Sequence, residues 1–138
     1  MTCPLINFWA VIVASIAFWA LGALWYSPVL FGKRWKKELG FTDEEMKKVN
    51  LPLTFGLSFV IMFLMVLGLS FFLSLYVNED ISWRSGMCLG FTTGLLFCMG
   101  TLGINYLYQR KSIVLWLIDG CYLFVGMGIA GIILGIWE

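Results

Sequence analysis

The sequence predicts an all-α membrane protein: one integral domain over residues 1–138, with four transmembrane helices and a cytoplasmic amphipathic helix between the first two. Three observations carry that expectation. Apolar residues make up 61% of the chain and charged residues 12%, where soluble domains average about 45–50% and about 25%. Mean hydropathy is +0.92, so a water-soluble fold of this size has nowhere to hide its apolar surface. Four stretches each supply the roughly 20 apolar residues that a helix rising ~1.5 Å per residue needs to cross a bilayer.

The first stretch covers about 5–26 and the second about 51–77, the latter long enough to tilt. The third covers about 85–108 and the fourth about 113–137, where Asp119 is the one charge. Barrel strands, the other spanning form, would alternate in hydropathy and do not fit. The first stretch lacks a basic leader, is too apolar for too long, and runs into ordinary loop sequence. It is therefore read as a retained span and not a cleaved signal.

Basic residues set the expected orientation. Lys33, Arg34, Lys36, Lys37, Lys47 and Lys48 lie in the first connection, and Arg110 and Lys111 in the third. The opposite side carries Arg84, with Glu79 and Asp80 contributing little. Eight basic residues against one place connections one and three in the cytoplasm and both termini outside (periplasmic), in the cell (inner) membrane. Aromatic rings mark both interfaces: Trp9, Tyr76, Trp83 and Trp137 outside, Trp25, Tyr26, Tyr106, Tyr108 and Trp116 inside.

The first connection, residues 28–50, is the sizeable polar region. Pro28 ends the first span or opens a new turn. Phe31, Trp35 and Leu39 then recur at i, i+4, i+8 with Lys33, Arg34, Lys36 and Lys37 between them. A helix there presents an apolar stripe flanked by positive charge, suited to the headgroup layer and to anionic lipids of the bilayer. Gly40 suits its C-terminal cap. A second short helix follows, with Thr42 as N-cap, Glu45 as capping-box partner, and Phe41 and Met46 as a hydrophobic staple. Asp43 and Glu44 at its start and Lys47 and Lys48 at its end complement its dipole. Pro52 sits in the first turn of the second span, where a missing donor costs nothing. The connection reads either as a topology anchor or as a docking surface for a protein partner.

Within the membrane, Gly86, Gly90 and Gly94 form a double GxxxG on the third span, and Gly131 and Gly135 repeat the spacing on the fourth. Lipid tails supply no hydrophobic force between helices, so small residues that let backbones approach drive association. These two spans are expected to pack tightly, within one chain or across an oligomer.

Asp119 lies about six residues into the fourth span, roughly 9–10 Å from the inner boundary at ~1.5 Å per residue and about a third of the way through a ~30 Å core. An ionised carboxylate there costs several kcal/mol unless paired or hydrated, so either it is neutral or polar partners hold it. Ser58 and Thr101 fall at similar depth, and Asn105 one turn nearer the cytoplasm. Tyr26 and Arg110 are nearer still and would have to reach inward. A cluster of Asp119, Ser58, Thr101 and Asn105 is the expected intramembrane site, acting as a proton or cation site or as a structural aspartate.

The chain has no histidine, which removes histidine-ligated haem, the usual zinc ligands and the commonest general base. Cys3, Cys88, Cys98 and Cys121 show no CxxC spacing, so neither a disulfide framework nor a metal site is implied. Cys98 and Cys121 fall at comparable depth and read as small packing residues. No cofactor and no nucleic-acid partner is expected.

The stretch Gly22-Ala-Leu-Trp-Tyr-Ser-Pro-Val-Leu-Phe-Gly-Lys-Arg-Trp35, with Asn7 ahead of the first span, resembles the small membrane family catalogued as domain of unknown function 1761. Asn105-Tyr106-Leu107 and Leu117-Ile118-Asp119-Gly120-Cys121-Tyr122 are similar to that family's second half, so the likeness covers nearly the whole chain. The Leu-Trp-Tyr-Ser-Pro…Phe-Gly…Trp segment is its specific part. The resemblance implies a four-helix membrane protein of bacteria or fungi without an established activity, and a membrane exit for the first helix at Trp25-Tyr26-Ser27-Pro28.

Three function classes follow, and fold alone does not choose among them. A non-enzymatic membrane protein, acting as a homo-oligomer or as an accessory subunit of a larger membrane complex, fits the glycine faces and the small polar mass. A small transporter or channel would run through an oligomer with Asp119 lining the path. Small four-helix drug exporters match poorly, because their essential acid lies on the first helix and their charge bias is often weak. A membrane enzyme acting on lipid or quinone is the third class. Four-helix glutathione-utilising enzymes share the long first cytoplasmic loop, but they need basic and polar residues inside the bundle to hold a charged co-substrate, and the second span has no basic residue. No Ser/His/Asp, Cys/His, phosphate-loop or metal set occurs in the sequence.

Overall fold

The computed structural model of the protein describes residues 5–76 and 81–137. Among them there is no strand, and four helices are long and apolar enough to cross a membrane. The first, α1 (Phe8–Trp25), begins three residues later than hydropathy alone places it. Asn7 sets that start: its side-chain oxygen accepts from the Trp9 and Ala10 amides at 3.1 and 3.2 Å, satisfying donors that have no partner inside the helix.

After α1 the chain turns through Ser27, Pro28 and Val29 into α2 (Gly32–Leu39). Gly32 is pressed against the turn, and a methyl group there would sit 2.3 Å from the Tyr26 carbonyl oxygen. Gly40 ends α2 in the left-handed conformation, φ 73°, which glycine adopts without steric cost. The short α3 (Asp43–Lys47) starts from the Thr42–Glu45 capping box. Lys36 pairs with Asp43 across the junction of the two helices.

The second long helix is α4 (Leu51–Tyr76). Its first turn is capped by Asn50, whose oxygen accepts from the Leu53 amide at 3.2 Å. Val77, Glu79 and Asp80 lie outside the described residues, as does Cys3. The third span opens at α5 (Trp83–Thr93), two residues earlier than its hydropathy suggests, because Ser82 and Ser85 form a reciprocal cap. It continues without a break through a π-helical turn, Gly94–Met99, into α6 (Gly100–Tyr108). A tight reversal follows, with Arg110 left-handed at φ 56° and the Lys111 amide donating to the Tyr106 carbonyl at 2.9 Å. The last helix is α7 (Ile113–Trp137), capped by the Ser112 hydroxyl, which accepts from the Leu115 amide at 3.1 Å.

The bundle is built around α7. Half of its most apolar window is buried, against 17–28% for the other three spans. The third span packs on one side of it and α1 on the other, while α4 lies against α1 and touches α5 and α7 lightly. On α1, Ala10, Val11, Ala14 and Phe18 face a core completed by Val66, Leu69 and Leu73 of α4 and by Tyr122, Ala130 and Leu134 of α7.

The α5–α7 contact is the closest. Methyl groups on Gly86 and Gly131 would lie 2.0 and 2.1 Å from each other's carbonyl oxygens. One on Gly90 would lie 2.2 Å from the Met127 oxygen, and one on Gly135 2.3 Å from the Ser82 oxygen. Gly94 ends the seam against the Phe124 Cα, 2.9 Å from such a methyl. Backbones this near gain dispersion and weak Cα–H···O contacts that any side chain would forfeit. The glycine faces are thus spent inside one chain.

Replacement of Gly86 by alanine is expected to cost about 1–3 kcal/mol of unfolding free energy in a detergent titration, since the seam has to open. Gly100 has open space around it, so Gly100→Ala is expected to be neutral or to stabilise by up to about 1 kcal/mol through helix propensity. Equal shifts in the two variants would contradict the seam.

Candidate functional site

Asp119 sits on the α7 turn that faces both the end of α1 and the end of α6. Its two carboxylate oxygens accept separate hydrogen bonds. The Tyr26 hydroxyl donates to Oδ1 at 2.6 Å and the Tyr106 hydroxyl donates to Oδ2 at 2.5 Å. Both are short O–H···O hydrogen bonds. Three helices are tied at one carboxyl group.

The elements explain how these phenols arrive. Tyr26 is the C-cap of α1, where the backbone leaves the helix and frees the ring to turn inward. Tyr106 lies in the last turn of α6, and Asp119 in the second turn of α7, across the Gln109–Ser112 reversal. Counting from that reversal, Asp119 is about four residues deeper than Tyr106, or about 6 Å at ~1.5 Å per residue, a distance that a tyrosine side chain covers.

Aromatic rings wall the site. Tyr122, one turn beyond Asp119, meets the Tyr26 and Phe18 rings edge-on with centroids 5.3 Å away in each case. Its hydroxyl donates to the Phe18 carbonyl at 3.3 Å, passing over Gly22, where a methyl group would lie 2.7 Å from it. The Trp25 indole donates to the Ile118 carbonyl at 3.0 Å, and the Trp116 indole to the Met99 carbonyl at 3.0 Å, each nitrogen thereby satisfied inside the apolar shell.

The expected cluster is corrected in its membership. Ser58 donates to the Phe55 carbonyl of its own helix at 2.9 Å, on a span that packs on α1 rather than on this turn of α7. Thr101 and Asn105 are exposed, and none of the described hydrogen bonds joins them to Asp119. The reason is azimuth. Asn105 precedes Tyr106 by one residue, so about 100° of helical rotation turns it away. Matching depth fixes height along an axis and leaves direction free. Tyr106 was legible only as an interfacial ring; its reach across the short third connection was the available signal.

From the loop side, α2 closes over the site. Trp35 stacks edge-on against Tyr26 with centroids 5.3 Å apart, and Phe31 lies against Trp25 at 4.8 Å. The apolar stripe of α2 therefore rests partly on the bundle, with Lys33, Arg34 and Lys37 left exposed and Lys36 half-buried. Glu38 fastens its far end: the Ser112 hydroxyl donates to Oε2 at 2.6 Å, and Arg34 pairs with Oε1 at 2.9 Å. That hydrogen bond, reinforced by Arg34, holds the Glu38 carboxyl below its ordinary range. Among the described residues, no three His, Cys, Asp or Glu side chains gather as a metal site. Cys88, Cys98 and Cys121 are free thiols.

Tyr26→Phe and Tyr106→Phe are each expected to cost about 1–3 kcal/mol in a detergent unfolding titration, the penalty of leaving a carboxyl oxygen without its donor. Tyr108 is 87% exposed, and Tyr108→Phe is expected to shift nothing. A double-mutant cycle of Tyr106→Phe with Asp119→Asn that returned no coupling would refute the clamp.

The Glu38 contact carries a pH dependence. Its folded value lies below the unfolded one, so the contact stabilises α2 docking above the ordinary carboxylate range and is lost as pH falls through the folded value. A nitroxide on a Lys37→Cys variant is expected to gain mobility as pH falls below the ordinary carboxylate range. Glu38→Ala is expected to give the mobile spectrum already at neutral pH. A spectrum unchanged by either would remove the fastening.

Comparison with known proteins adds one finding. Residues 9–135 match the family model described as "Protein of unknown function (DUF1761)". No curated protein and no solved structure matches the chain. With the match running from near the start of α1 to near the end of α7, the chain belongs to the DUF1761 family.

Proposed function

We propose that this chain is an integral membrane protein that works by association, as a homo-oligomer or as an accessory subunit of a larger membrane complex, and not by catalysis. One observation carries the reading. The intramembrane carboxylate has both oxygens engaged by Tyr26 and Tyr106 of the same chain, so it serves to knot three helices together. A further observation supports it. The glycine seam is used up within the chain, so association falls to other surfaces, and the outer face of α4 stays open through Leu53, Leu57 and Ile61. In this reading the termini lie outside and connections one and three in the cytoplasm, on the eight-to-one balance of basic residues. Lys33, Arg34, Lys36 and Lys37 then meet anionic headgroups of the inner leaflet while Phe31 and Trp35 hold α2 to the bundle.

One feature favours a second reading, a proton or cation path. Tyr106 also lines a small, mostly apolar pocket of about 200 Å³ that Lys111 and Ser112 border, so the phenol that holds Asp119 lies beside an opening with a charged residue at its edge. In proteoliposomes with an entrapped pH dye, an imposed proton gradient would then decay faster with the wild-type protein than with Asp119→Asn. Equal decay removes this reading.

Native mass spectrometry of the protein released from nanodiscs tests the main one. A defined multimer, or stoichiometric co-isolation of larger subunits from native membranes, is the expected result. A monomer in both preparations would overturn it.

A further inference from the structure

A cleft of about 690 Å³ separates α4 from the third span, and neither the glycine seam nor the Asp119 clamp accounts for it. One wall runs along α4 from Leu64 to Leu75, the other from Leu89 to Cys98, and Met127 of α7 forms the floor. Its volume falls in the ordinary range of ligand sites, about 300–1,000 Å³. The lining is apolar. The one hydroxyl among the described lining residues, that of Thr93, donates back to the Leu89 carbonyl at 2.8 Å. Gly68 keeps the α4 wall low, with no atom within 4 Å of where its methyl group would stand.

Length identifies the occupant. Leu64 lies near the middle of α4 and Leu75 near its end, so the cleft runs about 16 Å at ~1.5 Å per residue. Half of a ~30 Å hydrocarbon core is about 15 Å. The cleft therefore starts at mid-membrane and stops at the end where α4 gives way to the third span, one leaflet deep. A spanning helix, about 10–12 Å wide and crossing both leaflets, would need a groove along all of α4. An acyl chain needs one leaflet and a narrow slot without polar partners.

We propose that the cleft between α4 and the third span is a binding site for an acyl chain of one phospholipid, drawn from the leaflet at the C-terminal end of α4. The proposal rests on the membrane-spanning reading and is independent of the association reading. The floor at Met127 and the wall at Phe97 and Cys98, in the π-helical turn, close the site at mid-membrane.

The test uses the full chain in phosphatidylcholine nanodiscs doped with a phosphatidylcholine that carries a diazirine on its acyl chain. After irradiation and digestion, adducts are expected to concentrate on residues 64–75 and 89–98, with saturation at one lipid per chain. Gly68→Phe fills the slot and is expected to lower those adducts about tenfold, the change that a loss of 1.4 kcal/mol in binding produces. Gly56, also in open space but outside the cleft, supplies the control: Gly56→Phe is expected to leave them unchanged. A second obstruction, Leu64→Trp, is expected to cut labelling at the mid-membrane end and spare Leu75 and Leu89. Adducts spread evenly along α4 and indifferent to Gly68→Phe would overturn the proposal. So would a chain-to-chain cross-link through the cleft in place of lipid. Absence of adducts from all four spans would overturn the membrane-spanning reading and the site together.

Discussion

Helices immersed in lipid gain nothing by hiding apolar side chains from one another, so the tightest contact in this bundle has to come from dispersion and backbone polarity. Gly86, Gly90, Gly131 and Gly135 allow α5 and α7 to meet backbone to backbone. The close approach fixes α7 against the third span, and α7 in turn offers its opposite side to α1, where the Phe18 ring lies over Gly126. α4 then leans mainly on α1, which leaves a cleft on its other flank. The other spans are arranged around this glycine seam.

That same geometry gives a half-buried carboxyl group its partners. Asp119 lies where α1 ends and α6 ends, and the two nearest phenols point at it from different helices. A single donor would leave one oxygen to the hydrocarbon. Two donors from separate helices turn the cost of desolvating the carboxyl group into a constraint on helix positions. Trp35 and Glu38 then bind α2 to this knot, so that a loop helix, the first helix and the last hairpin share one set of contacts.

The four long helices and the capped loop helices were legible in the sequence, because hydropathy, the Thr42–Glu45 pair and Gly40 each act over a few residues. The helix starts at Phe8 and Trp83 were less so, since Asn7 and Ser82 sit just where apolar composition blurs into polar caps. At the site, Asp119 declared itself by the cost of its charge, whereas Tyr26 was legible only as a ring that would have to reach inward and Tyr106 only as an interfacial ring. Ser58, Thr101 and Asn105 matched its depth and faced elsewhere, whereas Tyr26 and Tyr106 reached it from shallower positions with long, stiff side chains. Depth is a one-dimensional count and sequence supplies it. Azimuth depends on which helices become neighbours.

The π-helical turn at Gly94–Met99 bears on azimuth directly. Counted at about 100° per residue, Gly103 falls nine residues and about 180° from Gly94, on the opposite side of an unbroken α-helix. Yet Gly94 rests on Phe124 and Gly103 on Trp116, both on α7. The wider turn takes up roughly 100° of that difference and the long Trp116 side chain reaches across the rest, so the third span holds two reading frames spliced at its centre: one keyed to the glycines above, the other to Gly103 and Tyr106 below. Loss of a single residue from the splice would leave either half intact as a helix and set them out of phase, with the phenol swung off its acid.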